Sequence, residues 1–413
     1  MLFITSVLLH LSIFRAVGGV PASPVSGQYP FSQHQDANTI DGVSANFFAS
    51  IERLSRLVDI AYCVGTSGIR QPFSCISRCK DFPTLELVTT WNTGALLGDS
   101  CGYIAVDHAT SAAVANSPNS AMGGQEPMKQ QNGAIIVAFR GTYSITNTVI
   151  DLGTVPQKYV PYPPAGDEPG DGLNPPDHEC TNCTVHMGFL MSWQIARNVV
   201  MPKLKHLHEL YPQYPIHVVG HSLGGAVGAL AALEMKVILG WDDVIVTTFG
   251  EPRVGNAGLV NYIDAAFGLR DENDPEQRAY RRITHTGDPV PLLPLSEWGY
   301  RSHAGEFFIS KTDLYPKPSD IRPCMGDYDP ECIAGSAGED RHGIKSVVEE
   351  SPNQDVETPP TNASFKFPTR LKLWELFFAH RDYFWRLGLC IPGGDPIDWD
   401  RDKYQAMTTN NEL

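Results

Sequence analysis

Ile216-His217-Val218-Val219-Gly220-His221-Ser222-Leu223-Gly224-Gly225-Ala226 is the stretch that decides the fold. Its first residues form a short apolar run, as a buried strand does. Gly-x-Ser-x-Gly follows over Gly220–Gly224, and then an Ala/Leu-rich run over Gly225–Leu233 reads as a helix. The five-residue pattern is weak alone, and its bland reading is a Gly-rich turn with no chemistry. Its setting is what a nucleophile elbow requires: strand, tight turn, helix. The turn leaves no room for side chains at Gly220 and Gly224. Ser222 is thereby presented at the carboxyl end of the strand, over a helix N-terminus. That helix end, with the amide of Leu223, suits a developing oxyanion.

Outward from this stretch the same rhythm continues. Ile135–Phe139 and Val244–Phe249 are short, unbroken apolar runs, and Tyr280–Thr284 is a further candidate strand. Helical periodicity covers Ile40–Tyr62, Met187–Leu210 and Gly225–Leu239. Alternating β and α elements predict an α/β fold, with a mostly parallel central sheet and helices on both faces. Residues 106–133, 161–183 and 333–366 are polar and break the rhythm. Core-like strands resume after them, so they read as surface insertions in one domain spanning residues 39–391.

Composition sets the compartment and the class. The 413 residues carry 31 Lys and Arg against 46 Asp and Glu, a net charge of −15. That balance excludes nucleic acid as the main partner and argues against docking on anionic membranes, but not against adsorption to neutral oil. Leu2–Phe14 is too short and polar for a membrane span and suits a secretory signal over residues 1–20. Residues 21–38 read as a flexible leader and 392–413 as an acidic tail. No later segment is long and apolar enough to span a membrane. Two glycosylation acceptors occur, at Asn182 and Asn362. Nine cysteines are many for a cytosolic enzyme, and the odd count leaves at least one outside intrachain pairs. Extracellular localisation is the expectation.

A serine nucleophile needs a base and an orienting acid, in this fold in the order Ser, acid, His. Asp288, in Thr286-Gly287-Asp288-Pro289-Val290-Pro291, follows a candidate strand and is the best acid; its bland reading is a turn Asp before Pro. His285, His303 and His380 compete for the base. Spacing alone leaves His303 and His380 open.

At these residues the chain resembles the fungal class 3 lipases, a family that includes secreted lipases and feruloyl esterases. The matching pieces, in order, are Phe139-Arg140-Gly141-Thr142, Gly220–Gly225, Phe249–Gly255, Asp288–Pro291, Ser302–Glu306 and Ala379–Phe384. The resemblance covers about Ile40 to Cys390, insertions aside. It implies an α/β-hydrolase fold with a short lid, and it selects His380 as the base. It implies an oxyanion hole from Thr142 and Leu223, and Thr142 independently follows a buried strand. The lid maps to residues 143–152, with Tyr143 at its start and Ile145, Val149, Ile150 and Leu152 on its apolar side. Thr148 stands where some of these lipases have a large aromatic.

The resemblance also suggests disulfides Cys63–Cys390, Cys75–Cys79, Cys180–Cys183 and Cys324–Cys332, leaving Cys101 as a buried thiol. Zinc at Cys180-x-x-Cys183 is disfavoured, since a closed site needs four ligands and secreted thiols are oxidised. No metal and no cofactor are implied. The expectation is a secreted, monomeric serine carboxylic-ester hydrolase, a triacylglycerol lipase, acting on lipid ester at an oil–water interface. The alternatives are a feruloyl or short-chain esterase, then phospholipase A1 or diacylglycerol lipase activity. A different class would be a non-catalytic lipid-binding protein on the same fold.

Overall fold

The computed structural model describes residues 42–94, 100–108, 133–142, 156–159, 180–270, 274–333 and 379–391. The strands are β1 (Leu85–Asn92), β2 (Cys101–Asp107), β3 (Ala134–Phe139), β4 (Pro156–Lys158), β5 (Thr184–His186) and β6 (Ile216–His221). They continue as β7 (Val244–Phe249), β8 (Gly255–Asn256), β9 (Tyr280–His285), β10 (Tyr300–Arg301), β11 (Glu306–Ile309) and β12 (Ile321–Pro323). The longer helices are α1 (Ala45–Ile60), α2 (Met187–Leu210), α3 (Leu223–Leu233) and α4 (Ala257–Phe267).

Eight strands form one sheet in the order β1-β2-β3-β6-β7-β9-β11-β12. The five from β3 to β11 run parallel, and antiparallel pairs flank them at both edges. β10, β8, β5 and β4 make a small second sheet. The register sets Phe139 beside Gly220 and His221 beside Phe249, so the ends of β3, β6 and β7 align. Open parallel sheets collect functional groups at this carboxyl edge.

Alternation explains the unbroken apolar strands. Val218 and Val246 pack into a core with α2, α3 and α4, whereas Val219, Phe249 and Ile283 pack with α1. Both faces of the parallel strands are covered, so every position along them favours an apolar side chain.

Helix ends follow local chemistry. Ser44 caps α1, accepting from the Phe47 amide at 3.1 Å, so the helix begins at Ala45 and not at Ile40. Asn256 caps α4 in the same way, and Gly268 ends it in the left-handed conformation. The helix expected over Gly225–Leu239 starts two residues earlier, directly after Ser222, and its last turn widens to a π turn over Glu234–Ile238. The first insertion also begins later than expected, because Val106 and Asp107 belong to β2.

The last described segment, residues 379–391, is fastened largely to α1. Trp385 Nε1 donates to Ser55 Oγ at 2.8 Å, and the Gly388 amide donates to Asp59 Oδ1 at 2.8 Å. Arg78 pairs with Asp59 at 3.4 Å and lies over the Trp385 ring. Burial raises the Asp59 pKa despite that partner. Cys63 and Cys390 close the junction as a disulfide. Disulfides also join Cys75–Cys79, Cys180–Cys183 and Cys324–Cys332, and Cys101 is buried outside these bonds, its thiol donating to Asn92 Oδ1 at 3.1 Å. Among the described residues no helix is long and apolar enough to cross a membrane. The signal and leader segments, the lid residues 143–152, Asn362 and the acidic tail lie outside the described residues.

Candidate active site

Ser222 sits between β6 and α3 with φ 57° and ψ −131°, a left-handed-side backbone that a non-glycine residue holds only under constraint. The constraint is close packing. A Cβ at Gly220 would lie 2.4 Å from the Gly224 carbonyl oxygen, and one at Gly224 2.5 Å from the Phe139 carbonyl oxygen. The Ser222 amide donates to the Phe249 carbonyl at 2.9 Å, fixing the turn to the neighbouring strand. Ser222 is only 2% exposed.

Asp288 and His380 meet across 92 residues. His380 Nδ1 lies 3.0 and 2.9 Å from the two Asp288 carboxylate oxygens. Tyr383 donates its hydroxyl to Asp288 Oδ2 at 2.6 Å, and the Val290 amide donates to Oδ1 at 2.9 Å. Burial and the Asp288 charge push the Tyr383 pKa well up, so it remains a donor. A carboxylate can only accept, so the His380 proton sits on Nδ1 and Nε2 keeps its lone pair. Nε2 is buried and has no hydrogen-bond partner among the described residues.

The other two histidines have different surroundings. His303 Nε2 lies 3.1 Å from Glu251 Oε1, and its Nδ1 lies 2.8 Å from the Ala304 carbonyl. Glu251 Oε2 accepts from Thr248 and Tyr280 hydroxyls. Burial acts to raise the Glu251 pKa, but His303, Arg282 and the Thr248 hydroxyl hold it below its ordinary value. His285 is buried at the end of β9, which lowers its pKa, and its Nδ1 has no partner among the described residues.

The loop after β3 closes the constellation. Gly141 packs so tightly that a Cβ there would sit 2.5 Å from Tyr62 Oη, 2.8 Å from the His221 carbonyl oxygen and 2.9 Å from Ser222 Cβ. Gly141, the residue before Thr142, is thereby pressed against Ser222. Arg140 braces the loop by donating to the Val64 carbonyl at 2.7 Å. Leu223 opens α3, and amides of a first helical turn have no partner within their helix. Gly250 is equally confined: its Cβ would meet Tyr383 Oη, His380 Cε1 and Asp288 Oδ2 within 3.0 Å. The sequence reading missed Tyr62, Tyr383 and the side chain of His221. Tyr62 enters the sequence only as the end of the helical pattern, and no local pattern marks it.

Residues 136–298 match the family Lipase (class 3). A secreted mono- and diacylglycerol lipase 2 of Gibberella zeae is 55% identical over 95% of this chain and 93% of its own length. The chain is a class 3 lipase. Lipase A of Sodiomyces alcalophilus is also 55% identical, over 96% of this chain and 94% of that one. Among solved structures, the Lip2 lipase of Yarrowia lipolytica matches with a TM-score of 0.62 at 28% identity, covering 85% of this chain and 97% of that one. The lipase has the α/β-hydrolase fold of these relatives, with the parallel sheet and flanking helices described above. It is a lipase hydrolase, as its matched family and its relatives are.

Proposed function

We propose that the lipase cleaves acylglycerol esters with Ser222 as nucleophile, His380 as base and Asp288 as orienting acid. The observation that carries this reading is the state of His380. Its Nδ1–H is held by Asp288, while Nε2 is bare, buried and unpartnered among the described residues. Ser222 adjoins His221, whose ring centroid lies 4.7 Å from that of His380. On attack, Ser222 Oγ bonds to the ester carbonyl carbon while its proton passes to His380 Nε2. Asp288 stabilises the imidazolium that forms. The amides of Thr142 and Leu223 donate to the oxyanion, each such donor lowering the barrier by about 3–4 kcal/mol. His380 then gives its proton to the departing alcohol. Water, deprotonated by the same nitrogen, hydrolyses the acyl-enzyme.

A fluorophosphonate tests the nucleophile: it labels the wild type at Ser222 and leaves Ser222→Ala unmodified. Persistent labelling of Ser222→Ala would overturn the assignment.

Emulsified triacylglycerol is the substrate favoured by the sequence reading. A second reading, mono- and diacylglycerols, is supported by the likeness to the mono- and diacylglycerol lipase 2 of Gibberella zeae. Parallel assays on emulsified tri-, di- and monoacylglycerol of one chain length, with methyl ferulate beside them, separate these readings from each other and from feruloyl esterase. The relative's designation as secreted supports an extracellular site of action, which N-terminal sequencing of protein from the medium tests.

A further inference from the structure

The side chain of His221, next to Ser222 in sequence, does not take part in the steps above, yet it is buried and fully engaged. Its Nε2 lies 2.9 Å from the carbonyl oxygen of His380, and its Nδ1 lies 2.5 Å from Tyr62 Oη. The carbonyl can only accept, so Nε2 carries the proton and donates. Nδ1 is then the lone-pair nitrogen, and Tyr62 donates its hydroxyl to it. The Tyr62 oxygen in turn accepts from the Gly141 amide. The run is therefore Gly141 N–H to Tyr62, Tyr62 O–H to His221, and His221 N–H to the His380 backbone. Each donor points the same way, so the bonds reinforce one another.

We propose that Tyr62 and His221 are positioning residues that tie the oxyanion loop to the backbone of the catalytic base, so that Thr142 and His380 are held in register across Ser222. The inference rests on the roles given above to Thr142 and His380. Three observations support it. The run begins one residue before Thr142 and ends on His380 itself. Gly141 has no room for a side chain at the point where the run starts, because a Cβ would sit on Tyr62 Oη. The protonation states are also locked: burial, with His380 beside it, pushes the His221 pKa well down, and burial pushes the Tyr62 pKa up. His221 stays neutral and Tyr62 stays a donor, so the direction of the run persists while His380 gains and loses its proton.

Three variants of the full chain separate the two halves of the run. Tyr62→Phe removes the hydroxyl and little else. His221→Gln keeps an amide donor for the His380 carbonyl but loses the acceptor for Tyr62. His221→Asn keeps an acceptor near the Nδ1 position but loses the donor to His380. Turnover of a soluble p-nitrophenyl ester is measured per site titrated with fluorophosphonate, with Tm alongside.

Tyr62→Phe is expected to lower kcat about 10-fold, with KM within about twofold and the acid limb of kcat/KM unmoved. His221→Gln should match it, and combining the two should cost less than about twofold more, because they break the same link. His221→Asn should also lower kcat about 10-fold and, unlike the other two, move the acid limb, since it releases the backbone of the base.

The proposal is wrong if every variant keeps wild-type kcat per titrated site, with losses confined to Tm or to the fraction of titratable protein. It is equally wrong if the Tyr62→Phe and His221→Gln losses multiply. Ser222→Ala, assayed in parallel, reports on the triad separately: its labelling would sink that assignment whatever the positioning variants do.

Discussion

Two buried histidine–carboxylate pairs flank β7 and β9, and they look alike. His380 meets Asp288 at 2.9 Å, and His303 meets Glu251 at 3.1 Å. Each carboxylate also accepts from a tyrosine, Tyr383 in one pair and Tyr280 in the other. The difference lies on the far side of each ring. His303 spends its second nitrogen on the Ala304 carbonyl, so both of its nitrogens face acceptors. His380 keeps its second nitrogen bare. A closed pair is a strut between the loop after β7 and the loop before β11. An open pair leaves a lone pair free to take a proton. In the proposed mechanism, therefore, pairing with an acid does not mark the base; the unspent lone pair does.

This contrast is broken most directly by disabling the open pair. Asp288→Asn should lower kcat about 10⁴-fold, because the amide can hold the imidazole in the wrong tautomer. His380→Ala should be at least as severe, while His303→Ala retains far more turnover per titrated site. The reverse ranking of the two alanine variants would reassign the base. The closed pair should instead fail in stability. Glu251→Ala strips the shared acceptor from His303, the Thr248 hydroxyl and the Tyr280 hydroxyl, all buried, and is expected to cost about 3–5 kcal/mol of unfolding free energy. Denaturant unfolding measures that loss, with kcat per titrated site as the companion reading. Tyr383→Phe deletes one donor to the Asp288 carboxylate and should lower kcat about 10-fold, with KM nearly unchanged.

The smallest effect concerns the third histidine. Burial lowers the His285 pKa below 6.5. Between 6.5 and that lowered value the unfolded chain binds a proton that the folded chain refuses. The stability contributed by neutral His285 is therefore whole above pH 6.5 and is lost as pH falls, at up to about 1.4 kcal/mol per pH unit. His285→Gln should keep turnover and show a shallower decline of Tm between pH 6.5 and 4. An unchanged slope would mean that His285 titrates alike in both states.

The contrast also explains what was legible in the sequence. Ser222 could be read because an elbow is local: strand, two glycines and helix lie within a dozen residues, and each has its own signature. Asp288 could be found because it follows a strand that feeds the same sheet edge. The base was open between His303 and His380 on spacing alone, because what separates them is the occupancy of one ring nitrogen by residues distant in sequence. Only the family resemblance pointed to His380. β1 carries no such signal because an edge strand need not be apolar on both faces, so the continuous run of β6 and β7 is absent. Tyr62 was invisible for a simpler reason: its partners are 79 and 159 residues away.

The fastening of residues 379–391 to α1 has a consequence for when the enzyme becomes active. His380 is carried by a segment whose anchors, Ser55, Asp59 and Cys63, belong to the first described helix and the turn that follows it. The Cys63–Cys390 link spans 327 residues, so it is among the most non-local contacts in the fold and among the costliest in loop entropy to close. Ser222 and its elbow can assemble from neighbouring strands well before that closure. On the proposed mechanism, a chain in which that closure has not formed would hold Ser222 without His380 fixed beside it.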